Sequence, residues 1–453
     1  MLDKNMGGQD GRWHLVSPNI LLPLLPLLSA SRTPFARRPV LMRLGAWLWC
    51  LLLVATPLNA AGNWPEFRGP AGDGHADAAR LASTWSELSH VTWKTAIHDR
   101  GWSSPVIWEN QIWLTTATAD GRQMFALCVD LATGKVRRDI KLFDVARPRE
   151  IHETNSYASP TPAIERGRVY THFGSYGTAC LDTKTGHVVW QRRDLPCDHF
   201  RGPGSSPILF GNLLIIHFDG FDYQYVVALD KATGKTVWKR DRDIDFQTDN
   251  GDFKKGFCTP TVITVGGKPQ LISPAAKAAI AYDPYTGKSL WRIRYPTHSP
   301  AARPLYGVGL VFINSGFSTA RLYAVRPDGR GDVTDSHVVW MVDRGIGSKP
   351  SPLLVDGLLY DVHDRGTAVC LDARTGKQVW RKRLGGNFSA SPIFASDRIY
   401  FFNEEGSAYV LRPGPEYQLL ATNRLDAGCM ASPAVSGNAL ILRTKTHLYR
   451  IDP

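Results

Sequence analysis

Two short segments of the sequence set an imidazole beside a carboxylate, His217/Asp219 and His363/Asp364. A histidine oriented by an acid is the arrangement of a general base, which makes Asp219 and Asp364 the candidate catalytic residues. The plainer reading is that each aspartate forms a turn. A second set is cationic. Arg100, Arg201, Arg303 and Lys349 each fall shortly before a proline that recurs along the chain, and Trp102 accompanies the first. Cations converging on one opening suit an anionic small molecule, because guanidinium groups take carboxylates in a bidentate fork. The alternative is that they pair with Glu153, Asp364 or loop carbonyls. The acidic run Asp241 to Asp252 lacks the glycine and closing glutamate of an EF-hand loop, leaving only an irregular Ca²⁺ site open.

The elements that must position these side chains repeat. Residues 206–240 read as four short strands, A to D, because apolar runs alternate with Gly211-Asn212, an Asp-Gly turn and Ala232-Thr233-Gly234-Lys235. The turn Asp-x-x-Thr-Gly occurs at Asp130/Gly134, Asp182/Gly186, Asp230/Gly234, Asp283/Gly287 and Asp372/Gly376. A tryptophan follows eight residues after the aspartate at Trp190, Trp238, Trp291 and Trp380. Strand A begins with Ser/Thr-Pro at Pro105, Pro160, Pro207, Pro260, Pro352, Pro392 and Pro433, with a degenerate copy at Arg303-Pro304. Units of this length, about 40 to 55 residues, are the period of propeller blades.

The last unit stops after strand C, while an orphan segment, His90-Val91-Thr92-Trp93-Lys94, precedes the first. Placing Trp93 where a strand-D tryptophan belongs completes the ring and hides an open edge. The expectation is therefore all-β: an eight-bladed β-propeller of four-stranded antiparallel blades, closed by an N-terminal strand. Strand direction then puts B–C turns and D-to-A crossings on one face, the top, where loops vary; variable loops on a rigid scaffold are where binding resides.

The segments Ala228-Leu229-Asp230-x-x-Thr233-Gly234-Lys235-x-x-Trp238, Ala281-Tyr282-Asp283-x-x-Thr286-Gly287-Lys288-x-x-Trp291 and Cys370-Leu371-Asp372-x-x-Thr375-Gly376-Lys377-x-x-Trp380 resemble the tryptophan-docking repeat of the pyrroloquinoline quinone (PQQ)-like β-propeller family. The resemblance implies that Trp93, Trp190, Trp238, Trp291 and Trp380 join neighbouring blades. Asn63-Trp64-Pro65-x-Phe67-Arg68-Gly69-Pro70 resembles the lead-in of secreted bacterial members. WD-type repeats fit worse, since no Trp-Asp dipeptide occurs.

Two functions follow from the resemblance. The first is a non-catalytic scaffold, similar to the propeller subunit of the outer-membrane β-barrel assembly machinery, docking envelope proteins. The second is a quinoprotein dehydrogenase oxidising an alcohol or sugar, with PQQ near Arg100, Trp102, Arg201, Arg303 and Lys349, Ca²⁺ near Glu153 and Asn155, and an Asp base. The adjacent cysteines of quinoprotein alcohol dehydrogenases are missing, which favours the scaffold. Carbohydrate binding by Trp102, Tyr157, Phe200 and Phe388 is a third reading.

Residues 1–41 read as an upstream extension, 42–61 as a signal peptide, 62–89 as a lead-in and 90–453 as the propeller. Met42-Arg43 precedes an apolar run, Leu44 to Leu58, ending in Asn59-Ala60-Ala61, the pattern of export to periplasm or medium rather than of a membrane span in the mature chain. Cys128, Cys180 and Cys370 hold equivalent strand-C positions, too far apart to bridge. Cys197, Cys258 and Cys429 leave one disulfide open. The formal charge of +12 includes +4 from residues 1–61, and without a Lys/Arg cluster it favours an anionic ligand or envelope surface over nucleic acid. A monomer is expected.

Overall fold

The computed structural model describes residues 62–453, residues 79 and 318 excepted; the expected upstream extension and signal peptide lie outside the described residues. Eight antiparallel sheets follow one another in the order A-B-C-D. In the third blade these strands are Ile208–Phe210, Leu213–Asp219, Gln224–Asp230 and Thr236–Asp241. Neighbouring blades cover both faces of each sheet, so strands B and C are buried almost throughout and read as continuous apolar runs. Strand D exposes all but Trp238. The eighth blade takes A to C from Ala434–Ser436, Ala439–Arg443 and His447–Ile451, and D from Val91–Ala96. Lys94 lies opposite Tyr449 in that closing pair, so the ring is sealed by a hydrogen-bonded ladder.

The Thr-Gly turns are built as platforms. Asp230 Oδ1 accepts the Thr233 amide (2.9 Å) and hydroxyl (2.7 Å), and Gly234 takes a positive φ of 72°. A side chain on Gly234 would sit 2.7 Å from the Trp190 ring of the preceding blade. The indole lies flat on the turn and donates its Nε1 hydrogen to Lys231 O at 2.9 Å. The same geometry joins Trp93 to Leu131 O, Trp238 to Pro284 O, and Trp340 to Ala373 O, at 3.0, 3.0 and 3.1 Å. Trp380 reaches Gly414 O at 3.2 Å. Trp340 has no Asp-x-x-Thr-Gly turn ahead of it; its signal is Val338-Val339-Trp340, which repeats Val188-Val189-Trp190.

Trp291 differs. The next blade replaces the short turn by a longer connection, whose segment Gly331–Asp332 adds a fifth, parallel strand to the outer edge of blade 4. Trp291 Nε1 donates instead to Gln270 Oε1 (2.7 Å), and the Gln270 amide donates to Pro327 O (3.0 Å). Pro327 stands where Lys231 stands in blade 3, so the amide relays the indole's bond to the usual acceptor.

Around the axis, each Ser/Thr before the strand-A proline binds the neighbouring blade. Ser104 N donates to Thr161 Oγ1, Thr161 N to Ser206 Oγ and Ser206 N to Thr259 Oγ1, at 2.9 to 3.0 Å. Beyond the gap at Arg303, the belt runs on through Ser351, Ser391 and Ser432 back to Ser104. Blade 2 thus begins at Thr161-Pro162, and not at Ser159-Pro160 as the sequence suggested: Ser-Pro-Thr-Pro offers two matches, and only the second carries the belt hydroxyl.

Three residues past the belt, the lead-in crosses the ring. Trp64 exchanges backbone bonds with Ile107 (2.8 Å), Pro65 O accepts from Ile164 N (2.8 Å), His75 Nε2 meets Leu354 O (2.7 Å), and Gly74 O accepts from Phe394 N (2.9 Å). A three-residue offset is roughly 10 Å of extended chain, so this crossing lies on the A–B-turn side of the belt. Arg68, buried, donates to Ser351 O (3.2 Å) and Pro352 O (2.8 Å).

Candidate functional site

The cations expected at the axial mouth are engaged inside the chain. Arg303 occupies a belt position and turns toward the lead-in, where Glu66 Oε1 accepts at 2.7 Å and Phe67 O also accepts. Arg201 pairs with Asp252 (3.0 Å) and covers the Phe200 ring at 4.8 Å. Lys349 pairs with Glu404 (3.0 Å). Arg100 donates to Glu153 O and lies 5.1 Å over Trp102, whose Nε1 donates to Thr154 O (3.1 Å). Asn155 is equally committed: its amide donates to Arg201 O and Pro203 O, and its oxygen accepts from Ser156 N and Ser159 Oγ. Among the described residues no three His, Cys, Asp or Glu side chains gather at metal-holding distance. Arg100, Arg201, Arg303, Lys349 and Asn155, nominated for PQQ and Ca²⁺, are thus all engaged within the chain.

Neither His/Asp pair is a dyad. Asp219 is fully buried against Arg242 in a two-pronged pair of 2.9 and 2.8 Å. Arg242 also donates to Ser273 Oγ (2.6 Å), and Ser273 meets His217 Nε2 (2.8 Å). A carbonyl oxygen can only accept, so His217 carries its proton on Nδ1 and gives it to Cys258 O (3.0 Å), and the neutral ring's Nε2 accepts from the Ser273 hydroxyl. Burial, reinforced by Arg242, holds His217 well below the usual histidine range. Asp364 instead caps the crossing before blade 6, accepting Ser348 N (2.9 Å), Lys349 N (3.1 Å) and the Ser348 hydroxyl. Of the aromatic residues considered for sugars, Tyr157 and Phe388 are buried. All six cysteines among the described residues are buried free thiols, so the disulfide left open by the sequence is not formed.

Three buried groups near the top face escaped the sequence, where a charge reads as exposed. Lys255 has no exposed surface; its amine is 3.4 Å from His199 Nδ1 and 4.9 Å from the Phe257 ring centre, and burial lowers its pKa. His172 is pushed down to about 3 by burial. Asp361 receives the Gly347 amide (2.9 Å) on one oxygen, has no partner for the other, and is pushed up to about 7 by burial.

What the top face does expose is aromatic. Phe221 (37 %), Tyr223 (50 %), Phe253 (43 %) and Phe317 (61 %) stand on loops of adjoining blades. Phe200 meets Phe221 edge-on at 5.7 Å, and Phe253 and Phe317 flank His298 at 4.9 and 6.0 Å. Gly251 bridges the two halves, since a side chain there would lie 2.3 Å from Phe221 O. The loops are mutually pinned: Phe221 N donates to Asp198 O (2.7 Å), Ser299 N to Lys255 O (2.8 Å) and Phe257 N to Pro300 O (2.8 Å). The band was missed because its members are scattered over 118 positions of sequence, from Phe200 to Phe317.

Ring closure, docked indoles and an aromatic loop face define an eight-bladed propeller of the tryptophan-docking class. The family described as outer membrane protein assembly factor BamB matches residues 86–252 and 222–453. The chain belongs to that family. The BamB of Burkholderia pseudomallei (strain K96243) is 30% identical over 112 residues, 24% of this chain and 29% of that protein, so the alignment spans under a third of the relative's length. The crystal structure of BamB from Moraxella catarrhalis superposes with a TM-score of 0.54 at 13% identity, covering 80% of this chain and 99% of that one. Quinohemoprotein alcohol dehydrogenase from Comamonas testosteroni gives 0.62 at 12% identity, covering 87% and 81%. At such identities the likeness is one of fold. Family membership supports a protein-interaction scaffold in general, and no helix among the described residues is long and apolar enough to cross a membrane.

Proposed function

We propose that this chain is exported to the cell envelope and acts there as a non-catalytic scaffold that docks protein partners through the aromatic band of its top face. The observation that carries the reading is the band itself: Phe221, Tyr223, Phe253 and Phe317, exposed on loops pinned to one another. Aromatic residues dominate binding energy at interfaces, and pre-organised loops lose little entropy on association. The relatives' role in outer membrane protein assembly agrees with partners in the envelope. Quinone-dependent oxidation draws support from fold alone, because Arg201, Arg303, Lys349 and Asn155 already have partners.

Photo-crosslinking in cells expressing the full chain tests the proposal. A photoreactive residue at Phe317 or Phe253 should capture discrete envelope proteins, while one at Tyr306, exposed on the opposite face, should not. Equal capture from both faces, or none from the band, would overturn the docking assignment.

A further inference from the structure

On the outer wall between blades 3 and 4 lies a cleft of about 540 Å³, the volume of a small-ligand site. Its floor is apolar and buried, formed by Ile280 and Tyr282. Its rim carries Arg240, Asp241, Asp243, Lys288 and Arg292. One of the rim cations and both acids are paired within the chain: Asp243 pairs with Arg292 at 2.7 Å, and Asp241 pairs with Lys239, outside the cleft, at 2.9 Å. Arg240 and Lys288 form no ion pair among the described residues. Arg240 spends hydrogens on Gly287 O and Thr286 O, both at 3.2 Å, which aims it across the Thr-Gly turn without cancelling its charge.

The equivalent side chain one blade earlier shows what is different. Arg192 makes the same contact, to Gly234 O at 2.6 Å, but is neutralised by Asp194 at 2.6 Å. Two residues after Arg240 stands Arg242, which is drawn inward by Asp219. The junction of blades 3 and 4 therefore keeps an uncompensated guanidinium and ammonium beside an apolar floor.

We infer that this cleft is a binding site for a small anion, whose carboxylate or phosphate group is held by Arg240 and Lys288. The pairing is specific in sign, because a cationic ligand meets Arg240 and Lys288.

The test titrates the full chain, by fluorine NMR and calorimetry, with 4-(trifluoromethyl)benzoate, with 4-(trifluoromethyl)benzylamine and with inorganic phosphate. The benzoate should bind at one site and weaken about tenfold in Lys288→Glu, whose exposed side chain leaves the melting temperature unchanged; Arg240→Gln should weaken it further. No saturable benzoate binding, equal binding by Lys288→Glu, or equal binding by the amine would overturn the site. Inorganic phosphate should displace the benzoate, and phosphate that binds without displacing it would overturn the assignment to Arg240 and Lys288. Should Arg240→Gln fold poorly through loss of its turn contacts, Lys288→Glu decides alone.

Discussion

The docked wall and the loop face of this ring use aromatic residues in opposite ways. On the wall, Trp93, Trp190, Trp238, Trp340 and Trp380 lie against the next blade and satisfy their indole hydrogens there. On the loop face, Phe253 and Phe317 stand outside the core on a framework pinned by backbone bonds. The first arrangement is repeated and stabilises; the second occurs once and leaves apolar surface unspent. The difference assigns folding energy to the wall and leaves the loop face free for the recognition proposed for it.

The largest expected effect attacks the wall where the ring is joined. Deleting residues 90–97 removes strand D of blade 8 and bares the edge of His447–Ile451, so size-exclusion chromatography should show aggregate in place of soluble monomer. A soluble monomeric deletion would break the closure argument. Trp238→Ala should cost about 3 to 5 kcal/mol in urea denaturation, through lost packing on Gly287 and the orphaned Pro284 carbonyl.

The interior beneath the loop face makes a pH prediction. Burial depresses His172 to about 3 and holds His199 and His217 well below the usual range, so all three stay neutral in the native ring. Below about pH 6.5 the unfolded chain binds protons that the native chain refuses. Stability is then full above that pH and falls by up to about 1.4 kcal/mol per pH unit for each histidine. Asp361 works in the opposite direction: its raised pKa of about 7 means the native chain holds a proton that the unfolded chain has lost. Asp361→Asn should therefore steepen the acid loss between about pH 7 and 5; an unchanged slope would contradict the burial account.

A smaller effect sharpens the comparison within the wall. Gln270→Leu leaves Trp291 Nε1 and Pro327 O buried without each other's relay and should cost about 1 to 3 kcal/mol. No other docked indole needs such a relay, because each reaches its carbonyl directly.

The wall was legible in sequence and most of the loop face was not, for a physical reason. Asp230, Thr233, Gly234 and Trp238 act within one turn and its neighbour, so their spacing repeats wherever the contact repeats. Arg303 gave no such clue, since Glu66 lies 237 residues away and reaches it only after the lead-in crosses the axis. Blade 2 was misplaced by two residues because Ser159-Pro160 and Thr161-Pro162 look alike until the belt selects one. Lys255 and Asp361 are buried by loops brought together from separate blades, an environment that leaves no periodic trace.

The smallest stability effect bears most directly on the central claim. With the photoreactive residue placed at Tyr223 in both, the melting temperature and the envelope cross-links of the full chain should be measured for the double variant Phe253→Ser/Phe317→Ser and for Trp238→Ala. The account predicts a stability change within about 0.5 kcal/mol with cross-links lost in the double variant, and lowered melting with cross-links retained at permissive temperature in Trp238→Ala. Aromatic-band variants that melt early, or that keep their cross-links, would contradict the division of the ring into a stabilising wall and a recognising face.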